Sequence, residues 1–254
     1  MEVHHHSHTE RKKWYHYFWE FFMLFLAVTA GFFVENQREH LGEHQREKQY
    51  MQNLIQDLSR DTAGLQRLIS WRQKLVRYAD SLVDLINSPQ RDQHLDDIYF
   101  YGRALTILSE FNYSDATMRQ LKNSGALRLI KHQFIADSIL AYDQSAETIG
   151  FREQGILVVQ SDMRNSIGNV LDATVIKTMT DTNYMVKPVA IGSWLKIPEK
   201  VKPLVTEDKK TINQFCTSAN YLYALYFTDR QNMITLKARA MRLMALLKKE
   251  YNLK

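Results

Sequence analysis

Apolar positions along the chain fall into three patterns. From Trp14 to Val34 they run almost unbroken, WYHYFWEFFMLFLAVTAGFFV. As a helix this stretch covers about 31 Å, the depth of a bilayer's hydrocarbon core. Trp14, Tyr15, Tyr17 and Trp19 gather at its start, as an interfacial aromatic belt does. Over residues 35–49 apolar side chains nearly vanish, which predicts a solvated helical stalk or the exposed first turns of a helix leaving a membrane. Beyond that they recur at helical spacing. Met51, Ile55, Leu58, Thr62, Leu65, Ile69, Arg72, Val76, Ala79, Val83 and Ile86 alternate steps of four and three, and Leu68, Leu75 and Leu82 widen the face. Asn87-Ser88-Pro89 ends that helix.

A shorter helix is predicted over residues 95–110, then a turn at 112–114. Ser114 is placed to cap a short helix over 115–123, and Gly125 suits its C-cap. A second long stripe follows: Ile135, Ile139, Tyr142, Ala146, Ile149, Ile156, Met163, Ile167 and Val170. It predicts a helix of roughly 40 residues, with Gly150 and Gly155 as weak points. Residues 172–206 lack this rhythm and hold Pro188, Pro198 and Pro203. They read as a long irregular connection, lying on a membrane or along the helices through Trp194 and Ile197. The last helix opens at Thr206 as N-cap. It follows Ile212, Phe215, Ala219, Leu222, Tyr226, Met233, Leu236, Ala240, Leu243 and Leu247, a row broken only by Asp229. The predicted fold is all-α. Residues 1–13 form a cytoplasmic tail, 14–34 a transmembrane helix, and 35–254 an elongated antiparallel bundle with coiled-coil-like seams.

Composition supports helices: 9 glycines and 4 prolines are too few for the turns of a sandwich or barrel. The net charge of +5 does not by itself imply nucleic acid. Basic residues are interleaved with acids, as in Arg38-Glu39 and Lys248-Lys249-Glu250, and form no stripe. The single Cys216 excludes an intrachain disulfide and lies near Phe215 and Ala219, as a small apolar residue would. No hydrolase elbow, zinc-protease helix, CxxC or kinase signature occurs, so neither an enzyme nor a cofactor is expected.

Two residues disturb the apolar span, His16 and Glu20. Both lie in its first two turns, within reach of a headgroup region. A carboxylate there is either an interfacial side chain or a contact to a partner's span, paired with His16 or with a partner's cation. Ala27, Ala30 and Gly31 would allow close helix approach. A cleaved signal peptide is the rival reading. Ala27-Val28-Thr29 is a poor cleavage pattern, and no polar mature start follows it. Arg11, Lys12 and Lys13 precede the span, whereas Glu35, Glu39, Glu43 and Glu47 dilute the far side. That places the N-terminus in the cytoplasm and the main domain in the periplasm.

His4, His5, His6 and His8 could chelate a metal but lack partnering carboxylate or cysteine spacing, so an adventitious tract is expected and no metal centre. Asp57 and Asp61 lie one turn apart beside Arg60. They could share a proton or a metal, and the plainer reading is a solvated helix face. Arg72 and Asp229 each interrupt an apolar row and could form a buried pair that fixes helix register.

The anchor FWEFFMLFLAVTAGFFVENQRE, followed by YMQNLIQDLSRD, resembles a family of uncharacterised single-pass membrane proteins of Bacteroidota with a helical domain. The matching positions are Glu20, Asn36, Tyr50, Leu54, Asp57, Leu58 and Asp61. In a second segment they are Leu121, Lys122, Ser124, Gly125, Leu127 and Ile130. The resemblance covers residues 14–143, and the span here is richer in aromatics than the family's. It implies a membrane anchor and a helical domain, and no activity. The expected function is therefore a membrane-anchored scaffold or accessory protein of the inner membrane. Its partners would be the lipid bilayer and either a membrane protein or further copies of itself, with no nucleic acid. The alternative is a periplasmic ligand sensor that signals through a partner's span.

Overall fold

A computed structural model of the chain describes residues 14–181 and 190–253. The histidine tract, Arg11–Lys13 and Pro188 lie outside them. The described residues form six α-helices and no strand: α1 (Trp14–Ile86), α2 (Leu95–Ala104), α3 (Ala116–Asn123), α4 (Gln133–Ile167), α5 (Ala173–Thr178) and α6 (Lys209–Glu250). Two compact units are distinguished, residues 1–49 and 50–254.

The first unit consists of the N-terminal part of α1. Near the N-terminus this helix carries an 18-residue window of mean hydropathy 1.8, none of it buried. It is the one described helix long and apolar enough to cross a membrane. Rings stack along it one turn apart, Phe18 on Phe22 and Phe21 on Phe25. Over residues 35–49 the apolar surface gives way to polar pairs at helical spacing, Arg38 with Glu35 and His40 with Glu43.

The second unit is built on residues 50–86 of α1, on α4 and on α6. Gln66 meets Lys237, Gln73 meets Arg230 and Asn87 meets Cys216, so α1 and α6 run in opposite directions. Arg239 reaches Ala141 and Ser145, and Gln160 reaches Tyr226, so α4 also opposes α6.

The buried face of α1 is turned slightly from the predicted main row toward its widening row Leu68, Leu75 and Leu82. Leu54, Leu58, Asp61, Leu65, Leu68, Arg72, Leu75, Ala79, Leu82 and Ile86 are buried, while Ile55, Thr62, Val76 and Val83 are half-buried. The shift brings Asp57 and Asp61 inward beside Arg72, which already stands in the predicted row. The connection at 172–206 also differs, because it contains α5. Asp172 caps that helix by accepting from the Thr174 amide at 2.7 Å. Trp194 packs on the helices, with the Arg103 guanidinium 5.1 Å from its ring centroid, while Ile197 stays exposed. Gly192, at φ +76°, lies where a Cβ would strike the Trp71 ring at 2.3 Å, so only glycine fits. Asp208, not Thr206, caps α6, accepting from the Thr211 amide at 2.9 Å.

The largest departure lies between α2 and α3. Helix α2 stops at Ala104, six residues short of the predicted end. Residues 107–115 lie outside helix and strand, with Ile107 and Phe111 buried and Leu108, Glu110 and Asn112 exposed. That alternation is the period of a strand, although no strand pairs with it.

Candidate functional site

An irregular segment laid into a helical core brings backbone amides and carbonyls that have no ladder to join. Side chains from three helices supply the partners. Gln160 of α4 donates to the carbonyls of Leu105 and Ile107 at 3.2 and 2.9 Å, and the Tyr226 hydroxyl donates to Leu105 at 3.3 Å. Arg72 of α1 donates to the Ser109 carbonyl and hydroxyl, each at 2.9 Å. Glu153 of α4 accepts the Phe111 amide with both oxygens at 3.0 Å. Asp61 accepts the Ser114 amide at 2.9 Å and the Tyr142 hydroxyl at 2.7 Å.

Asp57 continues this series at the start of α3. It accepts the Thr117 amide at 3.1 Å and is held by Arg60. Asp115 precedes α3 without a side-chain cap bond, so α3 is capped from another helix. Asp57 and Asp61 are therefore not a solvated face. Both are buried and both accept backbone donors. Ser114 likewise does not cap α3, because its amide is bound by Asp61. Next to these, Asp143 accepts from Tyr113 at 2.9 Å and from Lys122 at 2.5 Å.

The structure brings Arg72 and Asp229 together. The Arg72 guanidinium, 1% exposed, donates through Nε to Asp229 at 2.8 Å and lies 3.7 Å from Glu153. Its flat face covers the Tyr226 ring at 4.9 Å. This polar layer separates two apolar clusters, one around Leu75, Tyr99, Phe215 and Leu222, the other around Leu58, Ile139, Tyr142 and Leu243. One arginine faces two carboxylates, and one oxygen of Asp229 has no hydrogen-bond partner. Burial raises Asp229 and Asp61 above the usual carboxylate range, against the pull of Arg72 on the first and of Tyr142 and Ser114 on the second.

Glu153 is pushed up to about 7, chiefly by burial and further by Asp229, while the Phe111 amide and Arg72 pull the other way. The native state thus keeps this proton beyond the ordinary value of 4.5. Stability from this group is full below that value and is lost as pH rises through about 7. The contribution of this group should fall by about 3 kcal/mol over that window. Glu153→Gln should flatten the fall and gain about 2 kcal/mol at pH 8, read from denaturant unfolding at pH 5 and pH 8.

Of the residues singled out within the span, His16 is exposed and stacks on Tyr15 at 4.8 Å. Gly31 has open space around it. Glu20, Ala27 and Gly31 share one face by helical spacing, and none is near Arg72 or Asp229 in the chain. Sequence reasoning passed over Glu153 and Gln160. Both occupy the seven-residue gaps in the row Ile149, Ile156, Met163, where a helical face demands a residue. Among the described residues no cluster of three or more metal-ligating side chains occurs. No family model, curated protein or solved structure matches the chain.

Proposed function

We propose that this chain is a membrane-tethered accessory protein that works through contacts with other proteins and not through catalysis. The observation that carries the reading is the exposed, apolar, aromatic-rich helical segment of α1, with its mean hydropathy of 1.8. In water that surface would be costly, and in lipid it is stable. The cations Arg11, Lys12 and Lys13 ahead of it favour a cytoplasmic N-terminus and a periplasmic main domain at the inner membrane. The polar layer supports a structural reading of the helical domain. Each buried charge in it has a backbone or ion-pair partner, so packing needs account for these residues without a substrate.

Within the span, Glu20 is the contact proposed for a partner's membrane helix, with His16 one turn before it and Gly31 on the same face for close approach. Solubilised, tagged protein should bring down a stoichiometric partner that Glu20→Leu loses. Recovery of no partner with either protein would remove the accessory reading. One observation favours the alternative, a ligand sensor. A cleft of about 770 Å³ opens beside Asn87, Ser88, Arg91, Glu207 and Lys209. Arg91 is already bound to both oxygens of Glu207, at 2.7 and 3.0 Å, which weakens the cleft as a receptor for a charged ligand.

A further inference from the structure

Helix α6 has a second apolar row besides its buried one. Phe227, Ile234 and Met241 recur every seven residues and are 49%, 37% and 54% exposed. Ala224, Ala238 and Ala245 interleave with them, and Gln231 completes the alternation of three and four. At 100° per residue this row points about 150° away from the buried one. Large residues alternating with alanine make a seam of knobs and shallow holes, suited to a second helix over about 32 Å.

Charge narrows the choice of occupant. Between Lys209 and Glu250 the sole acid is Asp229, which is buried. Arg230 and Lys237 flank the seam on the side of α1, where they reach Gln73 and Gln66. Arg239 and Arg242 flank it on the side of α4. None of the four has a carboxylate within ion-pair distance among the described residues. A second copy of the chain would set these cations against their own kind. A lipid surface asks for a broad, bulky apolar face, whereas this one is a narrow seam broken by alanines and Gln231.

We infer that the outer face of α6 docks an amphipathic helix of a partner protein, one whose apolar heptad positions are flanked by Asp and Glu. The inference rests on the accessory reading above and names the chemistry of the partner.

The test is photo-crosslinking of the full chain in its native membranes, with Ile234→benzoylphenylalanine, followed by sequencing of the crosslinked peptide. The expected adduct lies on a segment with apolar residues at three-four spacing and acidic flanks. Its yield should fall about tenfold when Arg230, Lys237 and Arg242 are all changed to Glu. Arg230 and Lys237 are half-buried and bond Gln73 and Gln66, whereas Arg242 is exposed, so Arg242→Glu alone should melt as the wild type does and should still lower the yield. An adduct on a second copy, on lipid or on a segment without acids overturns the inference, as does no adduct or a yield indifferent to charge reversal. If the chain still sediments with membranes and loses a partner through Glu20→Leu while Ile234 crosslinks nothing, the docking surface falls and the accessory reading stands.

Discussion

Arg72→Leu should cost the helical domain about 3–5 kcal/mol at pH 7, because it leaves Asp229 and Glu153 buried without their cation. The Ser109 carbonyl and hydroxyl would lose their donors as well. The loss should shrink at pH 5, where protonation relieves Glu153, the carboxyl pushed up to about 7. Arg72→Leu combined with Asp229→Leu should recover most of it, since an apolar pair of similar volume avoids the desolvation of two ions. Urea unfolding of the full chain in detergent, followed by circular dichroism at both pH values, checks all three. If the single variant is as stable as wild type, the pair has no structural necessity.

Asp61→Ala should cost about 3 kcal/mol, the second largest loss expected from a single side chain here. Two buried donors lose their acceptor at once, the Ser114 amide and the Tyr142 hydroxyl. The asymmetry of hydrogen bonding sets the size, because a made bond gains little and an orphaned buried group costs its full desolvation. Asp61→Asn should cost less, since its carbonyl still accepts one of the two. Amide exchange at Ser114 separates this mechanism from general loosening. It should quicken in Asp61→Ala while amides around Leu75 keep the protection that global stability allows.

The helices were legible where apolar periodicity was long and simple. The all-α class, the apolar segment at Trp14–Val34 and the starts of α3, α4 and α6 follow from spacing and caps to within three residues. The face of α1 was less so. Two apolar rows lie one position apart on it, and how far the face turns between them depends on the partners that await Asp61. Local sequence carries no trace of those partners. The irregular segment was written in the chain as Ile107, Ser109, Phe111, Tyr113, every second residue. It is too short to outvote the helical pattern of Leu95, Ile98 and Tyr99 before it. Asp57 and Asp61 looked solvated because charge at helical spacing usually is. Their burial depends on amides from a segment more than 50 residues away.

The polar layer also dictates when the domain can finish folding. Arg72 and Asp229 are separated by 157 positions, and Gln66 and Lys237 by 171. During synthesis the N-terminal helix emerges first, with an uncompensated guanidinium in its apolar row and no carboxylate yet made to meet it. Neither local turn formation nor collapse around α2 and α3 can satisfy it. Closure must await the last helix, and waiting for pairs so distant in the chain prolongs exposure of Leu68, Leu75 and Leu82. A chain in this state is a substrate for holding chaperones until its final 40 or so residues arrive.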